Sequence, residues 1–150
     1  MLCATNSVTF DRPAGDVFKL LADPQENDKK WRPAVVDMRH LSGEGAGARY
    51  HQKMKGPMGM SISADIEIDA FEPGQLIGFR TLTGPVRPTG RFEITPAGES
   101  CSLTFSLSAE LTGVKKVFMG SMTQKSLDAE VGNLTRLKEL VEGQSSASPS

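Results

Sequence analysis

The sequence predicts an α+β fold in which a long antiparallel sheet curls around one C-terminal helix. Three observations carry this reading. Residues 5–10, and then segments from 35 to 110, alternate apolar and polar side chains with the two-residue period of half-buried strands. Gly- and Pro-rich turns of hairpin length separate the segments, which favours antiparallel pairing. The chain then closes on one long stretch of helical spacing, residues 113–142. A sheet of this length buries its apolar face by wrapping around the helix, and a pocket between the two is the expected result.

Each element has its local reason. Val8 and Phe10 share one face of the first strand, with Ser7 and Thr9 opposite. Pro13 opens a helix, where its missing N–H costs nothing. Val17, Leu20 and Leu21 give that helix an apolar face, and Asp23-Pro24 ends it because the residue before a proline avoids the helical region. Residues 24–33 are polar, with Trp31 as the one large apolar group, and Trp31-Arg32-Pro33 reads as a loop. Residues 35–40 form a strand, and the run 43–47, Gly-Glu-Gly-Ala-Gly, is a turn. Next, Tyr50, Gln52 and Met54 alternate with Arg49, His51, Lys53 and Lys55. The charged set must face water, so the first set faces inward.

After the turn Gly56-Pro57-Met58-Gly59 comes the cleanest alternation in the chain. Residues 60–70 predict one long strand with Met60, Ile62, Ala64, Ile66 and Ile68 facing the terminal helix. Leu76–Leu82 is a strand whose two faces the pattern does not separate. Phe92 and Ile94 oppose Arg91 and Glu93, and Leu103, Phe105, Leu107 and Ala109 oppose serines and threonines. The total is about seven strands. In the terminal helix, Leu127, Val131, Leu134 and Val141 form a stripe with Leu137 and Leu140 beside it. The first half is interrupted by Gly120, Ser121, Gln124 and Lys125. Ser121-Met122-Thr123-Gln124 has the spacing of a capping box, which allows a bend or restart there. The small polar run 143–150 reads as a disordered tail, leaving 1–142 as one domain.

Composition narrows the function. The 150 residues are 38% hydrophobic and 23% charged, with a net charge of −1. That balance suits a globular protein with no general attraction to nucleic acid. No apolar run approaches the roughly 20 residues that span a bilayer, so no integral membrane association is expected. The first residues carry neither a basic nor an apolar leader segment. Two cysteines, Cys3 and Cys101, make no disulfide framework, and a reducing cytoplasm is the expected location.

The order of elements resembles the START/Bet v 1-like superfamily, also called SRPBCC or polyketide cyclase/dehydrase-like proteins. The matching segments are residues 8–18 (Val-Thr-Phe-Asp-Arg-Pro-Ala-Gly-Asp-Val-Phe), Leu21-Ala22-Asp23-Pro24, Trp31-Arg32-Pro33 and the Gly-rich turn 43–47. The Gly84-Pro85 loop before Gly90-Arg91-Phe92 and the terminal helix complete them. The resemblance covers residues 5–142. It implies the helix-grip fold: a curved seven-stranded antiparallel sheet wrapped around a long C-terminal helix, with two short helices after strand 1. It also implies an apolar cavity between sheet and helix. Members of the superfamily include lipid and hormone binders, aromatase/cyclases and chaperone-activating domains, and fold alone does not choose among them.

The residues offer little catalytic chemistry. His40 and His51 sit on separate strand patterns without metal-ligand spacing, so neither a metal nor a cofactor is expected. There is no Gly-x-Ser-x-Gly elbow, and the turn 43–47 lacks the lysine and strand–helix setting of a phosphate loop. Arg80 enters the cavity or sits on the outer face. Lys115 and Lys116 read as a solvated pair. The leading expectation is a binder of a small hydrophobic molecule such as a lipid, polyketide or aromatic compound. Two alternatives stand beside it. One is an aromatase/cyclase-like enzyme using Tyr50, Gln52, Arg80 or His40 for proton transfer. The other is a protein-interaction module with an exposed apolar patch. The pocket is expected beneath the first half of the terminal helix, at Val117, Phe118, Ser121 and Met122. The facing wall is Tyr50, Gln52, Met54, Met60, Phe79, Phe92 and Phe105, with Trp31 at the mouth.

Overall fold

The alternating segments pair into one curved antiparallel sheet. The computed structural model describes residues 1–56 and 59–146. Strand β1 (Leu2–Phe10) leads into helices α1 (Ala14–Leu21) and α2 (Pro24–Trp31). Then come β2 (Val35–Ser42), β3 (Arg49–Lys55), β4 (Ser61–Ser63), β5 (Ile66–Glu72), β6 (Leu76–Thr81), β7 (Thr89–Ala97) and β8 (Ser100–Ala109). Helices α3 (Val114–Gly132) and α4 (Leu134–Ser146) follow. The strands lie in the order β1-β8-β7-β6-β5-β3-β2, with β4 paired to β3. This is the helix-grip architecture.

Helix α2 is the second of the two short helices that the resemblance implies, in a stretch whose own residues read only as polar. Its start signals are local: Asp23 caps it by accepting the Glu26 N–H at 3.4 Å, and Pro24 occupies the first turn. Asp23-Pro24 therefore ends one helix and begins the next. Apolar periodicity misses α2 because its buried residues are Pro24, Asp28 and Trp31, which include a carboxylate.

The long strand expected over 60–70 is divided into β4 and β5. The register is unbroken, since Met54 pairs with Ile62 and Tyr50 with Ile66. The interruption comes from Asp65. Its Oδ1 accepts the backbone N–H of Gln52 at 3.2 Å, and so displaces a ladder bond. Ile66 and Ile68 are buried and Ile62 and Ala64 half-buried, as the alternation requires. Met60 precedes β4 and is exposed, not inward. Met58 lies outside the described residues. In β2, a bulge between Val35 and Asp37 turns both Val35 and Met38 inward.

The terminal helix runs unbroken past Gly120 and divides at Asn133 instead. The Asn133 N–H bonds the Glu130 carbonyl at 3.1 Å, and the Asn133 carbonyl accepts from Arg136 and Leu137. Its side chain donates to Glu130 Oε1 at 3.1 Å, the kind of local bond by which asparagine competes with a helix interior. Leu127 and Val131 of α3 and Leu134, Leu137 and Val141 of α4 form the buried stripe. Helix α4 takes in the first four residues of the expected tail, and 147–150 lie outside the described residues.

The stripe packs on a core containing Phe10, Trp31, Leu103 and Phe105. Phe92 stacks on Phe105 at 4.2 Å, and Trp31 meets both edge-on at 6.1 and 6.3 Å. Leu134 has no exposed surface. Leu134→Ala should therefore lose about 2–5 kcal/mol of stability in urea unfolding. A loss below about 0.5 kcal/mol, typical of surface positions, would place the stripe outside the core.

Candidate functional site

Below the second half of the terminal helix the apolar stripe closes on the sheet. Beneath α3 it does not, and a cavity of about 230 Å³ remains. Its floor is Gln52 and Met54 of β3, Phe79 and Thr81 of β6, and Phe105 and Leu107 of β8. Ile62, Ala64 and the loop residues Pro85, Val86 and Pro88 form one side. Met119, Met122, Thr123, Ser126, Leu127 and Glu130 form the roof. Two glycines shape it. A Cβ on Gly90 would lie 2.4 Å from the Phe79 ring, so glycine at this position of β7 makes room for that ring. Gly84, at φ +96°, brings the 85–88 loop close to β4, where a Cβ would meet the Ser63 carbonyl at 2.8 Å.

The polar part of the lining has a defined chemistry. Arg32 follows the end of α2 and donates from Nη1 to Asp28 Oδ2 at 2.8 Å. It also donates from Nη2 and Nε to Glu130 Oε2 on α3, at 2.6 and 3.2 Å. Asp28 and Arg32 are buried, and the cluster carries one positive and two negative charges. Burial pushes the Asp28 carboxyl up to about 6, against the opposing pull of Arg32. Arg32 stays charged: burial works against its proton, but the two carboxylates outweigh that and raise its pKa further.

Gln52 is 5% exposed. Its Nε2 donates to the Ala64 carbonyl at 2.9 Å, which identifies the other end of the amide as the oxygen. That oxygen, Oε1, is buried and accepts no hydrogen bond. Thr81 is satisfied, donating from Oγ1 to the Pro88 carbonyl at 2.8 Å.

The expected site residues divide into groups. Gln52, Met54, Phe79, Phe105 and Met122 border the cavity, Met122 at its exposed rim. Phe92 lies behind Phe105, and Trp31 is 1% exposed in the core, not at a mouth. Val117 and Phe118, at 79% and 76% exposure, and the exposed Ser121 are on the outward side of α3. The reason is helical phase. Residues 119, 123, 126, 127 and 130 recur at intervals of three and four and face the sheet, which turns 117 and 121 away from it. That spacing is present in the sequence as the signal for Thr123, Ser126 and Glu130.

Tyr50 borders a different recess of about 390 Å³, between the α1–α2 junction and the β2–β3 turn. His40 lies there too, its ring 5.1 Å from that of Tyr50 and its Nε2 2.6 Å from the Gly43 carbonyl. Desolvation raises the Tyr50 phenol, aided by Asp23, Asp28 and Glu44. Arg80 is on the outer face and donates to Glu67 Oε1 at 2.6 Å. Hydrogen bonds from Arg80 and Arg49 hold the Glu67 carboxyl below the usual range. Tyr50, Gln52, Arg80 and His40 therefore do not converge. Cys3 is exposed, Cys101 is buried, and both are free thiols. Burial raises the Cys101 thiol. Among the described residues no group of three His, Cys, Asp or Glu is placed to hold a metal, and no helix is long and apolar enough to cross a membrane.

A curved sheet gripping a helix over a mostly apolar cavity defines the START/Bet v 1-like class. The chain belongs to the family described as polyketide cyclase/dehydrase and lipid transport, which it matches over residues 1–142. Solved structures share the fold at low identity. The di-domain ARO/CYC StfQ of the steffimycin biosynthetic pathway superposes with a TM-score of 0.79 at 16% identity, over 97% of this chain and 52% of that one. A protein from Thermus thermophilus gives 0.75 at 21%, over 98% and 99% of the two chains. A START superfamily protein from Mycobacterium smegmatis gives 0.73 at 17%, over 95% and 98%. None of the curated proteins matches the chain.

The ion cluster yields a stability prediction. Arg32→Ala leaves the buried Asp28 and the half-buried Glu130 carboxylates without their cation and should cost about 3–5 kcal/mol at pH 7. Asp28→Asn leaves a one-to-one pair and should cost far less. The pH dependence has a definite sign. The folded state binds the Asp28 proton more tightly than the unfolded chain, whose carboxyl has the ordinary value of 3.8. The Asp28 contribution to stability therefore falls as pH rises from about 4 to about 6. Urea titrations across that range should show this slope in the wild type and lose it in Asp28→Asn. Equal losses for the two variants at pH 7 would contradict the excess-charge account.

Proposed function

We propose that this protein binds a small, mostly apolar molecule in the cavity between α3 and the sheet. The observation that carries the reading is the lining itself: Met54, Ile62, Phe79, Phe105, Leu107 and Met119 surround one void that the terminal helix covers without filling. An apolar void stays dry or takes an apolar guest. Methionine on both walls suits a guest of variable shape. Size restricts the class. About 150 Å³ admits benzene, and drug-sized ligands need roughly 300 Å³ or more. At about 230 Å³ the cavity fits a one- or two-ring aromatic or a short acyl chain better than a whole membrane lipid. The family description supports small-molecule binding, and two free cysteines suit a reducing cytoplasm.

A cyclase-type enzyme would use the same cavity. Two charged groups that border it, the buried Arg32 and the half-buried Glu130, are paired with each other, which favours binding over proton transfer. The exposed Val117, Phe118 and Met122 are the feature an interaction module would use.

The test is displacement by filling. Val86→Trp should weaken binding of the neutral fluorophore 1-aminoanthracene by roughly tenfold or more, equivalent to about 1.4 kcal/mol. Ser121→Trp, on the outward face of α3, should leave affinity unchanged. The opposite pattern in folded variants would move the site off the cavity. A folded wild type that binds no such probe, and carries no copurified small molecule in native mass spectrometry, would put the interaction module ahead.

A further inference from the structure

A residue that borders the cavity, Gln52, holds an acceptor that the fold leaves unused. Gln52 Oε1 is buried and bonded to nothing, while the same amide's Nε2 is held by the Ala64 carbonyl. That bond fixes the amide orientation, so a flip cannot satisfy the oxygen without orphaning the nitrogen. A buried carbonyl without a donor is costly, and native folds rarely tolerate one without a reason. Two donors of the cavity lining are committed elsewhere. Thr81 gives its hydroxyl proton to Pro88, and Arg32 is directed at Asp28 and Glu130.

Charge sets a second condition. Arg32 and Glu130 both border the cavity, and with Asp28 they sum to −1. Arg32 is thus no receptor for an acid, because two carboxylates already surround it. Lys55 also borders the cavity, but it is solvent-exposed, where its field is screened. A carboxylate at the inner end of this space would face the net negative Arg32–Asp28–Glu130 cluster, with Lys55 on the solvent side.

Resting on the cavity reading above, we propose that the ligand is a neutral hydroxylated apolar molecule of one or two rings, whose O–H is accepted by Gln52 Oε1. Gln52 is then the residue that orients the guest, and the ion cluster is what rejects free acids.

A matched series on one ring system tests this: naphthalene, 2-naphthol, 2-methoxynaphthalene and 2-naphthoate, titrated at pH 7 by calorimetry. 2-Naphthol should bind about tenfold tighter than naphthalene, the size of one hydrogen bond to a buried acceptor. 2-Methoxynaphthalene has no donor and should show none of that gain. 2-Naphthoate should bind at least tenfold more weakly than 2-naphthol. In Gln52→Met the naphthol advantage should vanish while naphthalene affinity holds. The proposal is overturned if 2-methoxynaphthalene or 2-naphthoate matches 2-naphthol, or if the advantage survives in folded Gln52→Met. The wild-type series decides the matter even where that variant does not fold. If no member of the series binds, the cavity reading itself fails; if naphthalene binds as well as 2-naphthol, only the hydroxyl reading does.

Discussion

The Arg32 ion cluster is the constraint on which the rest of the arrangement depends. It ties the end of α2 to α3 through Arg32 and Glu130, residues 98 positions apart in the chain. Arg32 lies immediately after Trp31, so holding one guanidinium also seats the indole against Phe92 and Phe105. The same tie sets the rotation of α3 about its axis. With Glu130 turned toward Arg32, the residues one and two turns earlier, Ser126, Leu127 and Thr123, must also face the sheet. A buried ion pair of this kind is weak evidence for stability, since desolvating three charges is costly. Its evident effect is positional: it determines which side of α3 roofs the cavity.

Much of the fold is legible in the sequence because strand alternation is a local property. Ile66 and Ile68, or Leu103, Phe105 and Leu107, reveal their inward face without reference to anything distant. The Leu127–Val141 stripe is equally local. The failures share one cause. Helix α2 is polar, and what holds it is a carboxylate and an indole whose partners lie elsewhere in the chain. The phase of α3 defeats a reading by hydrophobicity because its outward side carries Val117 and Phe118, whereas its inward side carries Thr123 and Glu130. Hydrophobicity points one way and a distant arginine the other. The break at Asn133 is readable, since Gly132-Asn133 is a poor helix interior. The capping-box spacing at Ser121 competes with it as a signal.

The candidate site is half legible for the same reason. Residues on strands are located by alternation, so Gln52, Met54 and Phe105 fall on the inner face that borders this cavity. Tyr50 shares their face, yet it sits beyond the end of the cavity, beside the α1–α2 junction, where β3 has passed under the short helices. Position along a strand, unlike side of a strand, depends on what packs above it. No period in the sequence encodes that.

The edges of the sheet show what the flanking helices do besides enclosing a space. Strands β1 and β2 are the two outer strands of the sheet and do not pair with each other. Gln124 of α3 donates to the Cys3 carbonyl of β1 at 2.8 Å, and Gln25 of α2 accepts the His40 N–H of β2 at 2.7 Å. Each glutamine occupies a backbone group that an incoming strand would need. Unpaired edges invite strand addition and aggregation, and folds that leave a sheet open must blunt them. Here two side-chain amides, one at each margin, reach from the helices and take up one such group on each open edge.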